Sequence, residues 1–369
     1  MLKVAMVGCG KIADSHVSQI QRIPRCQLVA TCDRELLMAR QLGQRFRINR
    51  HFTDVRELLD SVRPDVVHIT TPPQSHASIA TQCLEHGSHV YVEKPFTVNA
   101  DEARALISLA SAKGLNITAG YDDQFTHAAR RMRRLVASGY LGGPPVHMES
   151  TYCYDLADVR YAKAFLSDSQ HWLRRLPGKL LHNIISHGIA RIAEFLTTDE
   201  PDVLAHGFVS PRLRELGECD IVDELRVIVS EEQRLTAYFT FSSQMRPSVH
   251  QLRLYGSKNG IFVDQDHETV IKLRGGRYSS YAQMFVPPMT FAGQHLGNLA
   301  TNVRTFLRRD FHFKSGMKFL IESFYSSIRE GTPLPITYRE ILLTATIMDR
   351  IFEQTTTGRP RNAKQPCIA

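Results

Sequence analysis

The chain lacks the cysteine patterns of metal-binding and disulfide-stabilised proteins. Its 7 cysteines are scattered through 369 residues, and no two of them form a C-x-x-C pair. Paired cysteines typically hold structural zinc, and dense cysteine spacing is typical of small secreted domains. We therefore expect no metal site, and we expect reduced thiols, which are typical of a cytoplasmic protein.

Long apolar runs are also missing. No stretch approaches the roughly 18 consecutive apolar residues that a membrane-spanning helix needs. The sequence MLKVAMVGCG enters a strand pattern directly, without the charged and apolar segments of a signal peptide. There is also no internal repeat and no low-complexity tract. These absences predict a globular, cytoplasmic protein without a membrane span.

Acidic residues are outnumbered by basic ones. The chain has 45 Lys and Arg against 37 Asp and Glu, a formal net charge of +8. The basic residues cluster in only two short segments, HAARRMRRL and FLRRDFHFK, and the first of these is typical of a solvated helix face. We therefore expect no nucleic-acid partner.

The length of the chain and the change in its strand and helix patterns predict two domains. A chain of 369 residues is too long for one ordinary hydrophobic core. Residues 1–122 alternate strand and helix patterns, which predicts βαβ units with a parallel sheet buried on both faces. Residues 123–369 carry a helical block and then several successive strands, which predicts an α+β domain with an antiparallel sheet. Residues 275–315 mix glycine, proline and aromatics and show no clear pattern.

A dinucleotide-binding fingerprint follows the first strand pattern. Residues 8–13 are GCGKIA, the G-x-G-x-x-A form of this motif. The motif requires a strand, glycines where the backbone approaches a pyrophosphate, and a helix N-terminus whose N–H groups face that anion. A tight turn without a ligand would show the same short motif, but all three contexts are present. We therefore predict that Gly8, Gly10, Lys11 and Ile12 bind a dinucleotide.

Asp33 lies at the end of the second strand pattern. A carboxylate there can accept hydrogen bonds from the adenosine ribose hydroxyls and would repel a ribose 2′-phosphate. The neighbouring Arg34 weakens this preference, because a guanidinium can stack on adenine or meet a phosphate. The pair therefore predicts NAD(H) as the cofactor, with NADP(H) less favoured.

A carboxylate, an amine and a proline follow a later apolar strand pattern, as Glu93-Lys94-Pro95. Ligands collect at the carboxyl ends of the strands in a parallel sheet. A solvated loop is the ordinary alternative for a lone lysine. The position at the end of a buried strand favours a functional role.

Several motifs together resemble one known family. The segment VGCGKIA, the segment of residues 65–95 that ends in E-K-P, and the later GYDDQFTHAARRMRRL and GKLLHNIISHGI are similar to the Gfo/Idh/MocA family (glucose–fructose oxidoreductase, inositol dehydrogenase and rhizopine catabolism proteins). The resemblance covers nearly the whole chain, and E-K-P in its context is the most specific element. It implies a Rossmann-type parallel-sheet domain followed by an α+β domain with an open-faced, mostly antiparallel sheet.

The resemblance gives Lys94 the role of the family's catalytic lysine, which contacts the reacting hydroxyl or carbonyl of the substrate. Hydride transfer develops charge on that oxygen, and an ammonium group can stabilise the charge or relay a proton. Glu93 could orient Lys94, and Pro95 would fix the chain direction at the strand end. Thr71 and Pro72 match the loop expected beside the nicotinamide.

Two further residues of the first domain are candidates. His76 matches a family histidine that opens the next helix, and we expect it to be a neighbour of the cofactor rather than a catalyst. Tyr121 closes the sixth strand pattern. It either lines the substrate pocket or packs in the core.

The second half of the implied site departs from the family pattern G-G-x-L-x-D-x-x-x-H-x-x-D, which corresponds to residues 178–190. His187 holds the histidine position and suits a proton acceptor, because the unperturbed imidazole of histidine changes its charge near neutral pH. Asn183 and Ala190 replace the two aspartates, and an amide cannot take a proton. Either Lys94 and His187 do the acid–base work while Asn183 positions the substrate, or the activity is weakened or redirected.

The leading functional prediction is an NAD(H)-dependent oxidoreductase. It would move hydride between nicotinamide and a secondary alcohol or ketone of a sugar, cyclitol or nucleotide-sugar. The alternatives are a non-catalytic dinucleotide-binding regulator, and a sugar isomerase or lyase that keeps a recycling NAD bound. We also expect a homodimer or homotetramer, because the strands of the second domain alternate as if both sheet faces were partly apolar.

Overall fold

The computed structural model describes residues 1–154, 168, 170–276, 278–279, 281–312 and 314–357. The chain divides into two compact units, Met1–Asp122 with Gly316–Thr346, and Asp123–Ser315 with Ile347–Ala369. The division expected from the sequence assigned everything after residue 122 to the second domain. In the structure, Gly316–Thr346 groups with the first unit.

The first unit contains a six-stranded sheet with the order β3-β2-β1-β4-β5-β6. All of its strand pairs are parallel, which is the Rossmann arrangement. The strands are β1 (Leu2–Val7), β2 (Cys26–Cys32), β3 (His51–Phe52), β4 (Val66–Ile69), β5 (His89–Val92) and β6 (Ile117–Ala119). The strand order reverses between β1 and β4, and dinucleotides bind in this fold at the carboxyl ends of the strands beside that reversal.

Short apolar runs form these strands because helices cover the sheet. All four residues of β4 are buried, including its one polar side chain, His68. The helices begin at residues suited to that position; Asn99, for example, accepts a hydrogen bond from the N–H of Glu102 at 2.9 Å. The helices of this part of the chain are α1 (Lys11–Ile20), α2 (Leu36–Phe46), α3 (Val55–Val62), α4 (His76–Glu85) and α5 (Ala100–Ala112).

The second unit contains a seven-stranded sheet with the order β13-β12-β11-β7-β10-β9-β8. Its pairs are antiparallel except β7 with β10, which is parallel. The strands are β7 (His147–Cys153), β8 (Asp202–Phe208), β9 (Glu224–Glu231), β10 (Leu235–Ser242), β11 (Val249–Tyr255), β12 (Asn259–Asp264) and β13 (Thr269–Arg274). A Rossmann-type unit and a mostly antiparallel sheet confirm the predicted fold class.

Helices cover one face of this second sheet more closely than the other. A Cβ added at Gly188 would lie 2.2 Å from the ring of Phe239, so the helix of Gly188 packs against the inner face of β10. On the outer face, Leu204, Ile228 and Tyr238 are exposed. The remaining helices are α6 (His127–Ala137), α7 (Lys179–Ile184), α8 (Ser186–Ala193), α9 (Pro211–Glu215), α10 (Ala282–Leu307), α11 (Ser315–Glu330) and α12 (Tyr338–Thr357).

Cysteine chemistry differs from the expectation at one position. Among the described residues, Cys9, Cys26, Cys32, Cys83 and Cys153 are free. Cys219 is disulfide-bonded. The prediction of wholly reduced thiols is therefore wrong at Cys219.

Amide side chains attach helix α10 to the edge strand β13. Gln294 accepts a hydrogen bond from the N–H of Lys272 at 2.7 Å and donates one to its carbonyl oxygen at 3.1 Å. One helical turn later, Asn298 makes the same two bonds to Val270, both at 3.0 Å. These amides satisfy backbone groups that an edge strand otherwise leaves open. None of the described helices is long and apolar enough to cross a membrane.

Replacing Asn298 with alanine tests this attachment. Asn298 is only 2% exposed, so water cannot easily replace its bonds to Val270 or the bond that it accepts from Arg131 at 2.6 Å. We expect Asn298→Ala to lower the free energy of unfolding by about 2 kcal/mol or more, measured by urea denaturation. Thr301→Ala, at an exposed position of the same helix, should change it by less than about 0.5 kcal/mol. Equal effects of the two substitutions would contradict the role of Asn298.

Candidate functional site

The turn between β1 and α1 leaves space in front of a helix N-terminus. Gly8 has φ +94°, and a Cβ there would lie 2.7 Å from the backbone of residues 70–71, so a side chain does not fit. Gly10 precedes α1, and a Cβ there would meet nothing within 4 Å. Lys11 and Ile12 open the helix, where the first N–H groups have no intrahelical acceptor. The turn therefore fits a pyrophosphate.

Asp33 follows β2 directly, and backbone N–H groups hold its carboxylate. Oδ2 accepts a hydrogen bond from Cys9 at 2.7 Å, and Oδ1 accepts one from Glu35 at 3.0 Å. A carboxylate has about four acceptor positions, so capacity for ribose hydroxyls remains. Burial raises the pKa of the Cys9 thiol to about 12, and the charge of Asp33 adds to this effect. Arg34 is exposed.

His76 links the loops that follow β4 and β5. It is fully buried at the start of α4, with Nε2 at 2.8 Å from the carbonyl oxygen of Thr71 and Nδ1 at 3.0 Å from that of Pro95. Burial lowers the pKa of His76, although the carbonyl contacts oppose the shift. The histidine thus ties the loop of Thr71 and Pro72 to the loop of Lys94 and Pro95.

Glu93 begins a chain of buried hydrogen bonds through the first unit. Its Oε1 lies 2.7 Å from Nε2 of His16. Nδ1 of His16 lies 3.0 Å from Nδ1 of His68, and Nε2 of His68 lies 2.8 Å from the hydroxyl of Tyr325. All four side chains are buried. The sequence pattern contains no signal for this series of hydrogen bonds, because the four residues are far apart in the sequence.

With both histidines neutral and Glu93 ionised, these contacts allow one arrangement of protons. His16 donates Nε2–H to Glu93 and accepts from Nδ1–H of His68, which in turn accepts from the hydroxyl of Tyr325. Burial lowers the pKa of His68 well below its usual value, with a smaller contribution from His16, and burial raises that of Tyr325. These hydrogen bonds orient the carboxylate of Glu93. Its Oε2 accepts a hydrogen bond from the N–H of Lys94 at 3.1 Å.

The other first-unit candidates lie nearby in the chain. Lys94 is half-buried just beyond the end of β5. Tyr121 is 1% exposed, and burial raises its pKa above the usual range, while a hydrogen bond from the backbone of Phe96 opposes the shift. Tyr121 is therefore held inside the first unit.

In the second unit, His187 lies beside a carboxylate that sequence reasoning did not single out. Its Nδ1 is 3.8 Å from Oδ2 of Asp123. Burial raises the pKa of Asp123, but the charges of His187 and Arg191 and a hydrogen bond from Tyr152 outweigh it, so the net pKa is lowered. Asp123 lies in GYDDQF, a segment that the sequence analysis used only for its family resemblance. Asn183 is half-buried on the preceding helix, α7.

Arg191 follows His187 by one turn of α8 and supports the same cluster. It is 2% exposed, and its guanidinium lies 5.2 Å from the ring centre of Tyr152. It donates hydrogen bonds to Gln265 and, at 3.4 Å, to the carbonyl oxygen of Thr151. Burial lowers the pKa of Arg191, while Asp123 opposes the shift. The carboxylate of Asp123 is thus surrounded by cationic and hydroxyl groups.

Comparison with known proteins defines the class of the first unit. The family model described as "Oxidoreductase family, NAD-binding Rossmann fold" (GFO_IDH_MocA) matches residues 2–121. The protein is therefore an oxidoreductase that uses NAD. Residues 2–121 are thus similar to the Gfo/Idh/MocA family.

Relatives of this family cover different shares of the chain. D-glucoside 3-dehydrogenase of Escherichia coli is 31% identical over 142 residues, which are 38% of this chain and 40% of the relative. The scyllo-inositol 2-dehydrogenase (NAD(+)) of Bacillus subtilis is 22% identical over 351 residues, 91% of this chain and 96% of the relative. The structure of the WlbA dehydrogenase from Bordetella pertussis with NADH and UDP-GlcNAcA has a TM-score of 0.77 at 15% identity, covering 97% and 96% of the two chains. It shows a shared fold.

The charge of Asp33 provides a test of cofactor choice. Asp33→Asn keeps oxygen and shape but removes the charge that would repel a 2′-phosphate. We expect the ratio of the Kd for NADP(H) to that for NAD(H) to fall about tenfold, or about 1.4 kcal/mol, by isothermal titration calorimetry. Asp14→Asn, an exposed site on α1, is the control and should leave the ratio unchanged. An unchanged ratio in Asp33→Asn would count against the ribose contact.

The buried histidines predict a loss of stability in acid. Because the folded-state pKa of His68 is lowered, the unfolded chain binds more protons below about pH 6.5, so the free energy of unfolding falls as the pH decreases. The slope contributed by one such histidine approaches about 1.4 kcal/mol per pH unit. We expect His68→Gln to flatten the slope between about pH 6.5 and 5 in urea titrations. His295→Gln, at an exposed position, should keep the slope of the parent. Identical slopes in the parent and in His68→Gln would refute the assignment of this slope to His68.

Proposed function

We propose that this protein transfers hydride between NAD(H) and a secondary alcohol or ketone of a sugar, cyclitol or nucleotide-sugar. One structural observation carries the proposal: the glycine turn, Asp33 and Lys94 all follow strands of a single parallel sheet at their carboxyl ends. The relatives named for glucoside and inositol dehydrogenation, and the neighbour solved with UDP-GlcNAcA, support polyhydroxylated substrates.

NAD, when bound, supplies the nicotinamide that accepts the hydride. The residues of this chain would bind and orient it. The N–H groups of Lys11 and Ile12 would face the pyrophosphate, and Asp33 would accept hydrogen bonds from the ribose hydroxyls. Thr71 and Pro72 would border the nicotinamide, in a loop whose carbonyl group contacts His76.

Lys94 is the proposed partner of the reacting oxygen. Its ammonium group would stabilise the charge that develops on the substrate oxygen, or relay the proton of the hydroxyl. Glu93 would act as a positioning residue, because its carboxylate holds the N–H of Lys94 and is itself oriented by His16. A rigid strand end would thus present the lysine in one direction.

His187 is the proposed proton acceptor of the second unit. An imidazole that takes a proton becomes a cation, and the carboxylate of Asp123 would stabilise it. Asp123 would therefore provide the negative charge that Asn183 cannot, and Asn183 would position the substrate through hydrogen bonds. A charged partner for His187 favours an active enzyme over a non-catalytic regulator.

The proposal includes a homo-oligomer. Leu204, Ile228 and Tyr238 leave apolar surface on the outer face of the second sheet, around an open hollow of about 300 Å³. Covering this face with a second copy would remove the apolar surface from water.

Substitution of Lys94 is the decisive experiment. The parent protein would be incubated with NAD⁺ or NADH and a panel of sugars, cyclitols and nucleotide-sugars, with absorbance of NADH as the signal. We expect Lys94→Ala to lower kcat by about 10²- to 10⁴-fold, the usual contribution of a group that transfers a proton in the transition state. Lys113→Ala, at an exposed surface position, is the matched control and should retain parental activity.

The outcomes separate the alternatives. A regulator would show no turnover in the parent, although NAD would bind. An isomerase or lyase would consume substrate without net NADH and would purify with NAD absorbance. Retained turnover in Lys94→Ala would contradict the role of Lys94.

A further inference from the structure

Four cationic side chains meet in one cleft of the second unit. The cleft is open, has a volume of about 660 Å³, and lies between α6, the edge strand β13 and α10. Its cations are Arg131 and Arg134 of α6 and Lys272 and Arg274 of β13. The two arginines of α6 are three positions apart, and the two cations of β13 are two positions apart. Each pair therefore shares one side of its helix or strand.

The cleft lies over the inner face of the second sheet. From Lys272, cross-strand pairing leads in turn to Ile261, Leu254, Met148 and Ala237. Paired residues point to the same face of a sheet. Ala237 lies two positions before Phe239, which packs against the helix of Gly188. A second copy on the outer face, where Tyr238 is exposed, would therefore leave the cleft open.

One buried amide holds the walls of the cleft together. Asn298 of α10 accepts a hydrogen bond from Nη2 of Arg131 at 2.6 Å and another from the N–H of Val270 at 3.0 Å. Its Nδ2 donates to the carbonyl oxygen of Val270 at 3.0 Å. Both α6 and α10 are thereby tied to β13. A cleft that is already formed spares a ligand the cost of ordering its walls.

The walls of the cleft contain no negative charge that balances the cations. The segments that form them, residues 124–148 and 269–309, have no aspartate or glutamate. None of the four cations forms an ion pair within the part of the chain that the structure describes. On the same helix, by contrast, Arg133 pairs with Glu194 at 2.6 Å. Glu268, just before the second segment, accepts the N–H of Ala128 at 2.6 Å.

Arg131 contributes its charge to the cleft rather than a free donor. Its Nη1 is buried, so a ligand in the cleft would meet the charge of the guanidinium and not this atom. Burial and the charge of Arg134 lower the pKa of Arg131, and Glu268 opposes this shift only in part. The two arginines therefore repel each other, and an anion beside them would turn this repulsion into attraction.

The other lining residues suit the uncharged part of a small ligand. Leu135 and Val270 supply apolar surface. The hydroxyl groups of Ser138 and Thr290 donate to nearby backbone carbonyl oxygens at 2.8 and 2.9 Å, and their oxygens can still accept hydrogen bonds. Pockets of this volume bind small organic molecules, so the cleft has room for much more than one phosphate ion.

We propose that this cleft binds a small metabolite that carries two or more phosphate groups. The phosphate oxygens would accept charge-assisted hydrogen bonds from Arg134, Lys272 and Arg274, and Arg131 would add its charge. Two phosphate groups match four cations better than one does. All lining residues belong to the second unit, and the site does not depend on which reaction the protein catalyses.

Isothermal titration calorimetry with inorganic pyrophosphate tests the site. The full chain is first saturated with NAD⁺, so that pyrophosphate cannot bind at the glycine turn of the first unit. We expect the parent to bind pyrophosphate more tightly than inorganic phosphate, because pyrophosphate can reach more of the cations. High salt should weaken this binding, because the contacts are ionic.

Removal of the two cations of β13 should weaken binding strongly. We expect Lys272→Gln with Arg274→Gln to raise the Kd for pyrophosphate about a hundredfold, because each lost bond to a charged group costs about tenfold. Arg304→Gln with Arg308→Gln is the matched control. It removes the same charge from exposed positions that do not line the cleft, and its Kd should stay within about twofold of the parent value.

A second variant tests the cleft without removing a cation. Ser138→Glu places a carboxylate at an exposed edge of the cleft. This carboxylate would compete with pyrophosphate for the same cations, so the Kd should rise at least about tenfold. Thr301→Glu, at an exposed position of α10 outside the lining, should bind like the parent. Urea denaturation of every variant shows whether a loss of binding reflects unfolding.

Three results would overturn the proposal. One is an absence of pyrophosphate binding by the parent saturated with NAD⁺. Another is an equal Kd in the two double variants, because general positive charge and not the cleft would then account for binding. The third is equal affinity of the parent for phosphate and pyrophosphate, because the cleft would then not distinguish one phosphate group from two.

Discussion

The parallel pairing of β1 with β4 is the constraint on which the candidate cofactor site depends. The register places Val7 opposite Ile69, so the residues that follow these two strands meet at the same edge of the sheet. Gly8 must then pass directly against the backbone of Thr70, where a Cβ would lie 2.7 Å away. Only glycine satisfies this contact. The chain then enters helix α1, whose first N–H groups have no intrahelical acceptor.

The buried hydrogen bonds that join Tyr325, His68, His16 and Glu93 also affect the lysine, because the carboxylate of Glu93 accepts the N–H of Lys94. Each member has a partner at hydrogen-bond distance, and the low polarity around them makes an unpaired member costly. With both histidines neutral and Glu93 ionised, the arrangement has one proton pattern, which orients Glu93. In the second unit, His187 and Asp123 form a comparable pair of groups whose charges depend on each other.

The sequence analysis predicted the features that arise from local order. The glycine turn, Asp33 and the lysine after β5 could be predicted because strand, turn and helix follow one another directly in the chain. His16, His68 and Asp123 were not predicted as site residues, because their partners come from distant segments. Residues 275–315 showed no clear pattern, since Pro287 and Pro288 lie inside α10 and its apolar side faces outward, the reverse of an ordinary amphipathic helix.

By itself, the sequence determined the Rossmann-type unit and its cofactor class, because hydrophobic periodicity and glycine positions act over a few residues. Tertiary structure alone decided which polar groups are paired. It gave His187 a carboxylate partner despite Asn183, and it gave the edge of β13 the amides of α10. Hydrogen bonds and charges act over a few ångströms in space, so the fold, not the order of residues, determines which of them meet.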